Sequence, residues 1–119
     1  MKIAITAQGK DIDAQVDPRF GRAAYILVID LADEKVEVID NVENANGFKG
    51  AGIQAAVCVS DSGAGVLLTG YCGPNAFKTL EAAGIKVAND VSGTVGEALE
   101  AFKSGRVAFA EDANVDGHW

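Results

Sequence analysis

The stretch from Gly65 to Val87 constrains the fold of this chain most. It begins with a short apolar run, Val66 to Thr69, whose length and glycine boundaries are typical of a strand covered on both faces. Pro74 then suits the first position of a helix, because its missing N–H would have no partner there. Apolar residues recur at helical spacing as far as Gly84, after which another apolar run begins. The stretch therefore predicts a strand, a glycine turn, a helix and a second strand.

The turn inside this stretch is the first candidate binding site. A strand-helix-strand unit of this length predicts parallel strands with a right-handed crossover, which places the turn at the carboxyl ends of strands, where open α/β sheets bind ligands. Backbone N–H groups at a helix start favour anions, and a cysteine there is expected to have a lowered pKa. The alternative is a tight connection in which Cys72 merely packs. The turn comprises Gly70, Tyr71, Cys72, Gly73, Pro74 and Asn75.

Hydrophobic periodicity predicts the other elements. We expect strands at 3–7, 24–29 and 35–39, the last two as an antiparallel hairpin, followed by a polar, glycine-rich loop at 41–52. A helix is then expected to bury Ile53, Ala56 and Val57, and a final helix to begin with a capping box of Thr94 and Glu97. This order predicts an α/β fold with a mixed five-stranded sheet and helices on both faces.

Size and charge limit the possible classes of function. With 119 residues the chain is long enough for one domain, which we place at 1–107, followed by an acidic tail at 108–119 that we expect to be flexible. The formal net charge of −7 argues against general binding to nucleic acids or anionic membranes. No apolar run is long enough to span a bilayer and a strand follows Met1 directly, so we expect a cytoplasmic protein.

A second unusual stretch, residues 17–22, combines two arginines with an aromatic residue in a chain that is otherwise short of positive charge. Asp before Pro favours a turn, and glycine permits a backbone conformation that other residues avoid. We expect either a compact cationic and apolar patch, or a solvated loop in which Phe20 fills the edge of the core and the arginines pair with surface acids. The candidate residues here are Arg19, Phe20, Gly21 and Arg22.

Other motifs argue against a dinucleotide fold and against catalysis. The segment from Gly50 to Ala55 matches the GxGxxA fingerprint, but it does not follow a strand directly, and the position about 20 residues later carries no carboxylate. Its glycines still allow a helix start to lie close to a ligand. His118 is the only histidine, Cys58 is interpreted as a small buried hydrophobic residue, and there is no CxxC motif. We therefore predict no catalytic residues and no zinc or disulfide framework.

Two motifs taken together resemble a known family. Asp17-Pro18-Arg19-Phe20-Gly21-Arg22-Ala23 and Thr69-Gly70-Tyr71-Cys72-Gly73-Pro74-Asn75-Ala76 are similar to segments of the dinitrogenase iron-molybdenum cofactor biosynthesis family (NifX/NafY-like), and the similarity runs from Met1 to about Arg106. By position, the family's Asp-x-x-Phe-Gly segment falls on Asp17, Phe20 and Gly21, and its glycine loop falls on residues 70–75.

The resemblance implies a ribonuclease H-like fold and a non-catalytic protein that binds a metal-sulfur cluster. The cluster is an iron-molybdenum cofactor precursor in the wider family and a molybdenum-copper sulfide anion, held without covalent protein ligands, in one branch. Protein partners in cofactor assembly or in a multiprotein complex are also implied. Cys72 stands where some relatives have no cysteine, so ligation of metal by its thiolate is one of two versions of the site.

A sulfide-rich polyanion is large, soft and weakly hydrated, so its host should offer backbone dipoles, a few cations and an apolar wall. We expect the dipoles from residues 70–75, the charge from Arg19, Arg22 and Lys49, and the wall from Phe20 and Tyr71. Gly50, at the start of the GxGxxA segment, is a further candidate binding residue. The main alternative function is a regulatory or scaffold module, nucleotide-responsive or not, that acts through a partner protein. A ribonuclease H-type enzyme is the third.

Overall fold

The computed structural model describes residues 1–46 and 50–110. The strands are β1 (Lys2–Ala7), β2 (Tyr25–Asp30), β3 (Val36–Asp40), β4 (Val66–Leu68) and β5 (Lys86–Ala88), and the helices are α1 (Val42–Ala45), α2 (Ala51–Asp61), α3 (Pro74–Ala82) and α4 (Val95–Lys103). The predicted order of strands and helices is confirmed. Within the described residues, α1 is an addition, since it lies in the segment that the sequence predicts to be a loop.

The five strands form one mixed sheet in the order β3-β2-β1-β4-β5. β2 pairs antiparallel with both β1 and β3, whereas β4 pairs in parallel with β1 and β5. The predicted mixed sheet, with a hairpin as its antiparallel edge, is therefore confirmed. Because β1, β4 and β5 run in the same direction, their carboxyl ends meet at one edge of the sheet, and the loops that follow them lie there.

Helices cover both faces of the sheet, as predicted. On one face, Ile26, Val28 and Leu67 share a buried cluster with residues of α2 and α3. On the other face, Ile5 and Leu27 belong to a second cluster that includes the buried side of α4. Adjacent residues of a strand alternate between these two clusters, as the period of two requires.

The buried side of α2 differs from the prediction. Ile53 and Val57 are exposed, and Cys58 is only half-buried. The buried residues of α2 are Ala51, Ala55, Ala56 and Val59. Three of them recur every four residues and form one stripe, whereas positions 53 and 57 lie two residues away, on the opposite side of the helix. The sequence interpretation chose the larger apolar side chains, but the structure buries mostly small ones, which let α2 lie close to α3.

Sequence signals for the helix ends are confirmed. α3 begins at Pro74, and Gly84 follows it with φ +77°, a left-handed conformation typical of helix ends. At α4, the Glu97 N–H donates to Thr94 Oγ1 at 3.1 Å and the Thr94 N–H donates to Glu97 Oε1 at 3.0 Å. The predicted capping box is therefore formed.

After α4 the chain returns to the sheet. Phe109 forms an antiparallel bridge with Ala88, and the Ala110 N–H donates to the Val87 carbonyl at 2.7 Å. The first residues of the predicted tail are thus attached to β5, while residues 111–119, which include His118, lie outside the described part of the chain. Among the described residues, no helix has the length and apolar character needed to cross a membrane.

Candidate anion-binding site

Two loops that the sequence singled out lie side by side at the carboxyl edge of the sheet. The Tyr71 N–H donates to the Pro18 carbonyl at 2.6 Å, and the Phe20 N–H donates to the Tyr71 carbonyl at 3.0 Å. These bonds form a short parallel bridge between Arg19 and Tyr71. Gly70 makes the close approach possible, because a Cβ at this position would lie 2.7 Å from the Cα of Pro18. The two loops therefore form one surface.

The first turn of α2 completes this surface. A Cβ on Gly21 would lie 2.8 Å from the Cα of Gly52, and a Cβ on Gly52 would lie 3.0 Å from the Cβ of Ala76 in α3. Gly21 also has φ +94°, which favours glycine. The loop after β1 thus touches the start of α2, and the start of α2 touches the start of α3. We use the name cradle for residues 17–22, 50–53 and 70–76.

Both long helices that enter the cradle begin without a capping side chain. Their N-cap residues are Gly50 and Gly73, which have no side-chain acceptor. Within the described part of the chain, no protein acceptor is hydrogen-bonded to the first-turn N–H groups of Ala51, Gly52, Ile53, Asn75 and Ala76. Each free helix start carries about half a positive charge. Two adjoining starts therefore present partial positive charge at one place.

Buried polar residues support the cradle from below. Of the described residues, the buried polar ones are Thr6, Asp17, Asn41 and Thr69, and all four lie next to the cradle or in it. Asp17 Oδ1 accepts a hydrogen bond from the Arg19 N–H at 3.0 Å, which shapes the turn that the sequence predicted. Sequence reasoning missed Thr6 and Thr69. The available signal was a hydroxyl residue at the end of each of two otherwise apolar strands.

Asn41 and Asn44 attach α1 to the cradle. Asn41 Nδ2 donates to the carbonyl oxygens of Gly21 at 3.3 Å and Ala23 at 2.9 Å. Asn44 Nδ2 donates to Asn41 Oδ1 and to the Ala51 carbonyl, both at 2.9 Å. These amides connect the loop after β1 with the start of α2. Sequence reasoning missed them too, since it placed both residues in a polar loop.

Arg19 and Arg22 have different surroundings. The Arg19 side chain is 52% exposed, and its Nε lies 3.9 Å from Asp17 Oδ1. Arg22 is half-buried, and its Nη1 donates to the Ala45 carbonyl at 2.8 Å, at the end of α1. Arg19 is therefore the more solvent-accessible cation of the cradle, whereas Arg22 also holds α1 in place.

The two aromatic residues expected to form an apolar wall differ in their exposure to solvent. Phe20 is 4% exposed and belongs to the core between the sheet, α2 and α3. It fills the edge of the core, which is the alternative that the sequence left open. Tyr71 is 39% exposed. Tyr71 is therefore the exposed aromatic residue of the cradle, and Ile53, which the sequence placed in the core, is also exposed.

Cys72 lies in the core beneath the cradle. It has no exposed surface and shares a buried cluster with Phe20 and Phe77. Burial raises the pKa of its thiol from 9.0 to about 12, so the thiol is protonated at neutral pH. The expectation of a lowered pKa is wrong, because the side chain is desolvated by burial in the core. Ligation of metal by Cys72 stays a prediction.

The other predicted binding residues are also in the cradle, with one exception. Gly50, Gly70, Gly73, Pro74 and Asn75 all lie in its second and third segments. Lys49 lies outside the described residues. In residues 1–46 and 50–110, no three His, Cys, Asp or Glu side chains are grouped as ligands of a metal ion would be.

The chain is similar to a known protein family and to several solved structures. A family model described as dinitrogenase iron-molybdenum cofactor matches residues 1–105. Among solved structures, the apo form of the orange protein from Desulfovibrio gigas is 50% identical, covers 96% of this chain and 96% of its own, and has a TM-score of 0.92. A Thermotoga protein of the DUF35 family, solved by NMR, is 35% identical over 98% of both chains, with a TM-score of 0.82.

A more distant structure shares the fold alone. A Methanocaldococcus jannaschii protein is 15% identical over 94% of this chain and 96% of its own, with a TM-score of 0.67. No curated protein matches the chain.

Proposed function

The chain belongs to the dinitrogenase iron-molybdenum cofactor family, as its two motifs predicted, and we propose that it is a non-catalytic carrier of an anionic metal-sulfur cluster. The cluster is of the molybdenum-copper sulfide type or an iron-molybdenum cofactor precursor, and the protein holds it mainly without covalent ligands. Protein partners in cofactor assembly supply or receive the cluster. The ribonuclease H-like fold type stays a prediction, and the mixed sheet with helices on both faces is compatible with it.

The observation that carries this proposal is the meeting of two uncapped helix starts beside Arg19. The first turns of α2 and α3 approach each other at Gly52 and Ala76. Their free N–H groups are held by the fold before any anion arrives, so binding requires little reorganisation of dipoles. This arrangement favours a polyanion even though the chain as a whole carries a net charge of −7, because exposed charges farther away than about 8 Å are largely screened at physiological salt.

The apolar groups of the cradle favour a soft anion over a strongly hydrated one. Tyr71 and Ile53 are both exposed large residues of the cradle. A phosphate or molybdate ion loses strong hydration when it contacts such groups, whereas a sulfide-rich cluster loses little. We therefore assign the site to a metal-sulfur cluster rather than to an oxyanion.

The state of Cys72 supports non-covalent binding. A thiolate is the form of cysteine that ligates metals, and burial keeps this thiol protonated at neutral pH. Ligation would require the thiol both to lose its proton and to leave the core. In the proposed site, the Cys72 backbone belongs to the cradle while its side chain packs beneath it.

Anaerobic titration with thiomolybdate and copper tests the function. The wild-type protein is expected to develop a visible charge-transfer band that stays with the protein on gel filtration. Arg19→Gln should weaken binding about tenfold, the effect of one lost charge-assisted hydrogen bond. Arg106→Gln is the matched control, because it removes an exposed arginine near α4 and should bind within about twofold of wild type.

Two results would overturn the proposal. One is a spectrum that is the same with and without protein. The other is a thermal-shift panel in which a nucleotide raises the unfolding midpoint and thiomolybdate with copper does not, which would favour the regulatory alternative. Cys72→Ser separates the two versions of the site, because non-covalent binding predicts that the band survives and thiolate ligation predicts its loss or a marked shift.

A further inference from the structure

Two buried hydroxyl groups lie beneath the cradle and form a short hydrogen-bonded chain. Thr6, near the end of β1, and Thr69, directly after β4, are both fully buried. Their Oγ1 atoms are 2.8 Å apart, and Thr6 Oγ1 donates to the Asp17 carbonyl at 2.6 Å. A threonine hydroxyl has one hydrogen, and Thr6 uses it on Asp17, so Thr69 must be the donor to Thr6. The chain of donation therefore runs from Thr69 to Thr6 to Asp17.

This hydroxyl chain joins the first and third segments of the cradle. Asp17 begins the loop that carries Arg19, and Thr69 immediately precedes Gly70. The backbone of Thr69 is bonded in the other direction, since its N–H donates to the Ala88 carbonyl at 3.0 Å, beside β5. The Thr69 hydroxyl, by contrast, is hydrogen-bonded to Thr6 in β1. Water cannot replace these bonds easily, because both side chains are fully buried.

We propose that the Thr6 and Thr69 hydroxyl pair is a positioning element of the cluster site. It sets the separation of the Arg19 loop and the Gly70 turn, and hence the arrangement of Arg19 and the helix starts around the cluster. Both threonines act through the two loops. The binding consequence of this inference rests on the proposed function, whereas its structural consequence does not.

A set of matched variants isolates the hydroxyl groups. Thr69→Val keeps the shape of the side chain and removes the hydroxyl, and Thr69→Ser keeps the hydroxyl. Leu99→Ala is the control for a loss of stability without a change at the cradle, because Leu99 is on the buried side of α4, on the other face of the sheet. Thr6→Val interrupts the same chain at its centre and replaces Thr69→Val if that variant does not fold.

The first readout needs no cluster. Hydrogen exchange of the Phe20 and Tyr71 amides reports on the two bonds that join the loops. Thr69→Val should accelerate their exchange about tenfold relative to Leu99→Ala compared at equal global stability, and Thr69→Ser should not. Equal exchange in Thr69→Val and the control would overturn the inference. This comparison decides the structural part even if wild type binds no cluster and the proposed function fails.

The second readout is the bound cluster itself. Thr69→Val should bind about tenfold more weakly and shift the charge-transfer band, while Thr69→Ser should match wild type in both. Loss of fold stability alone would not move the band of the bound fraction. The double variant with Val at both positions should bind no more weakly than Thr6→Val, because both changes interrupt one chain. Faster exchange of the loop amides with wild-type binding and band would refute the positioning role.

Discussion

The start of α4 and the starts of α2 and α3 use their backbone N–H groups in opposite ways. At α4, Thr94 and Glu97 form a capping box, and the hydrogen bonds to Thr94 lower the pKa of Glu97. The N–H groups of Val95 and Gly96 donate at 2.9 and 2.8 Å to carbonyls of the loop after β1. In the described part of α2 and α3, the first-turn N–H groups have no such partners.

The difference is between a helix start that contributes to stability and two helix starts that leave N–H groups available. α4 satisfies its first turn with protein groups and already holds a carboxylate there, so it has little left to offer an anion. α2 and α3 give up the roughly 1 kcal/mol that a side-chain cap contributes and leave their N–H groups available. The same local structure thus stabilises the fold on one face of the sheet and, in the proposed function, binds a ligand on the other.

The largest effect is expected when the contact between the loop after β1 and the open start of α2 is disrupted. Gly21→Ala should lower the free energy of unfolding by about 3 kcal/mol, from a left-handed backbone and overlap with Gly52. Gly63→Ala is the matched control, because Gly63 has φ +84° but no atom within 4 Å of an added Cβ, and it should cost about 1 kcal/mol. Urea denaturation measures both, and equal costs would show that the close contact is unimportant.

Cys72 tests whether the open start of α3 stabilises a thiolate. With its pKa raised to about 12, the folded thiol stays protonated at pH values where the unfolded one has ionised. Its stabilising contribution is complete below pH 9.0 and declines as the pH rises toward 12, by about 1.4 kcal/mol per pH unit. Relative to Cys72→Ala, wild type should therefore lose about 2 kcal/mol by about pH 10.5. A gain in relative stability between neutral pH and pH 9.0 would indicate a lowered pKa instead.

Asn75→Asp places a carboxylate at the open start of α3, as α4 already has. The change is nearly isosteric at an exposed first-turn position, so the free protein should become about 0.5 kcal/mol more stable. Cluster binding should weaken about tenfold through repulsion. Lys103→Gln lowers the net charge equally on α4 and should leave binding within about twofold. If both variants weaken binding equally, total charge rather than the helix start controls affinity.

The smallest effect on cluster binding is expected at the start that is already capped. Thr94→Ala should cost about 1 kcal/mol of unfolding free energy, because it leaves the Glu97 N–H without its acceptor. Cluster binding should remain that of wild type once the folded fraction is accounted for. Chemical denaturation and the thiomolybdate titration together check this, and weaker binding would mean that the two faces of the sheet are coupled.

Much of the fold could be predicted from local sequence. Glycine boundaries around Val66–Thr69, Pro74 at a helix start and the spacing of Thr94 and Glu97 report structure that forms over a few residues. Packing was harder to predict. On α2 the large Ile53 and Val57 face solvent while small alanines are buried, because the close approach of α2 to α3 selects for size rather than hydrophobicity.

The candidate site, too, was predicted from the sequence only in part. Both motifs, residues 17–22 and 70–75, were identified from their composition, and the structure brings them together as the sequence hypothesis required. The partners beneath and beside them were missed. Thr6 offered only a hydroxyl group at the end of an apolar strand, and Asn41 stood in a polar segment. Their partners lie in other chain segments, which only the fold brings next to them.

By itself, the sequence determined the order of strands and helices, the ends of those helices, the family, and the two loops of the candidate site. These depend on periodicity, turn residues and motifs, which act over short distances along the chain. Only the tertiary structure decided which helix starts remain open, that Phe20 and Cys72 face the core, and that Arg19 stays accessible. Burial and pKa depend on what other segments place around a group, and no local pattern contains that information.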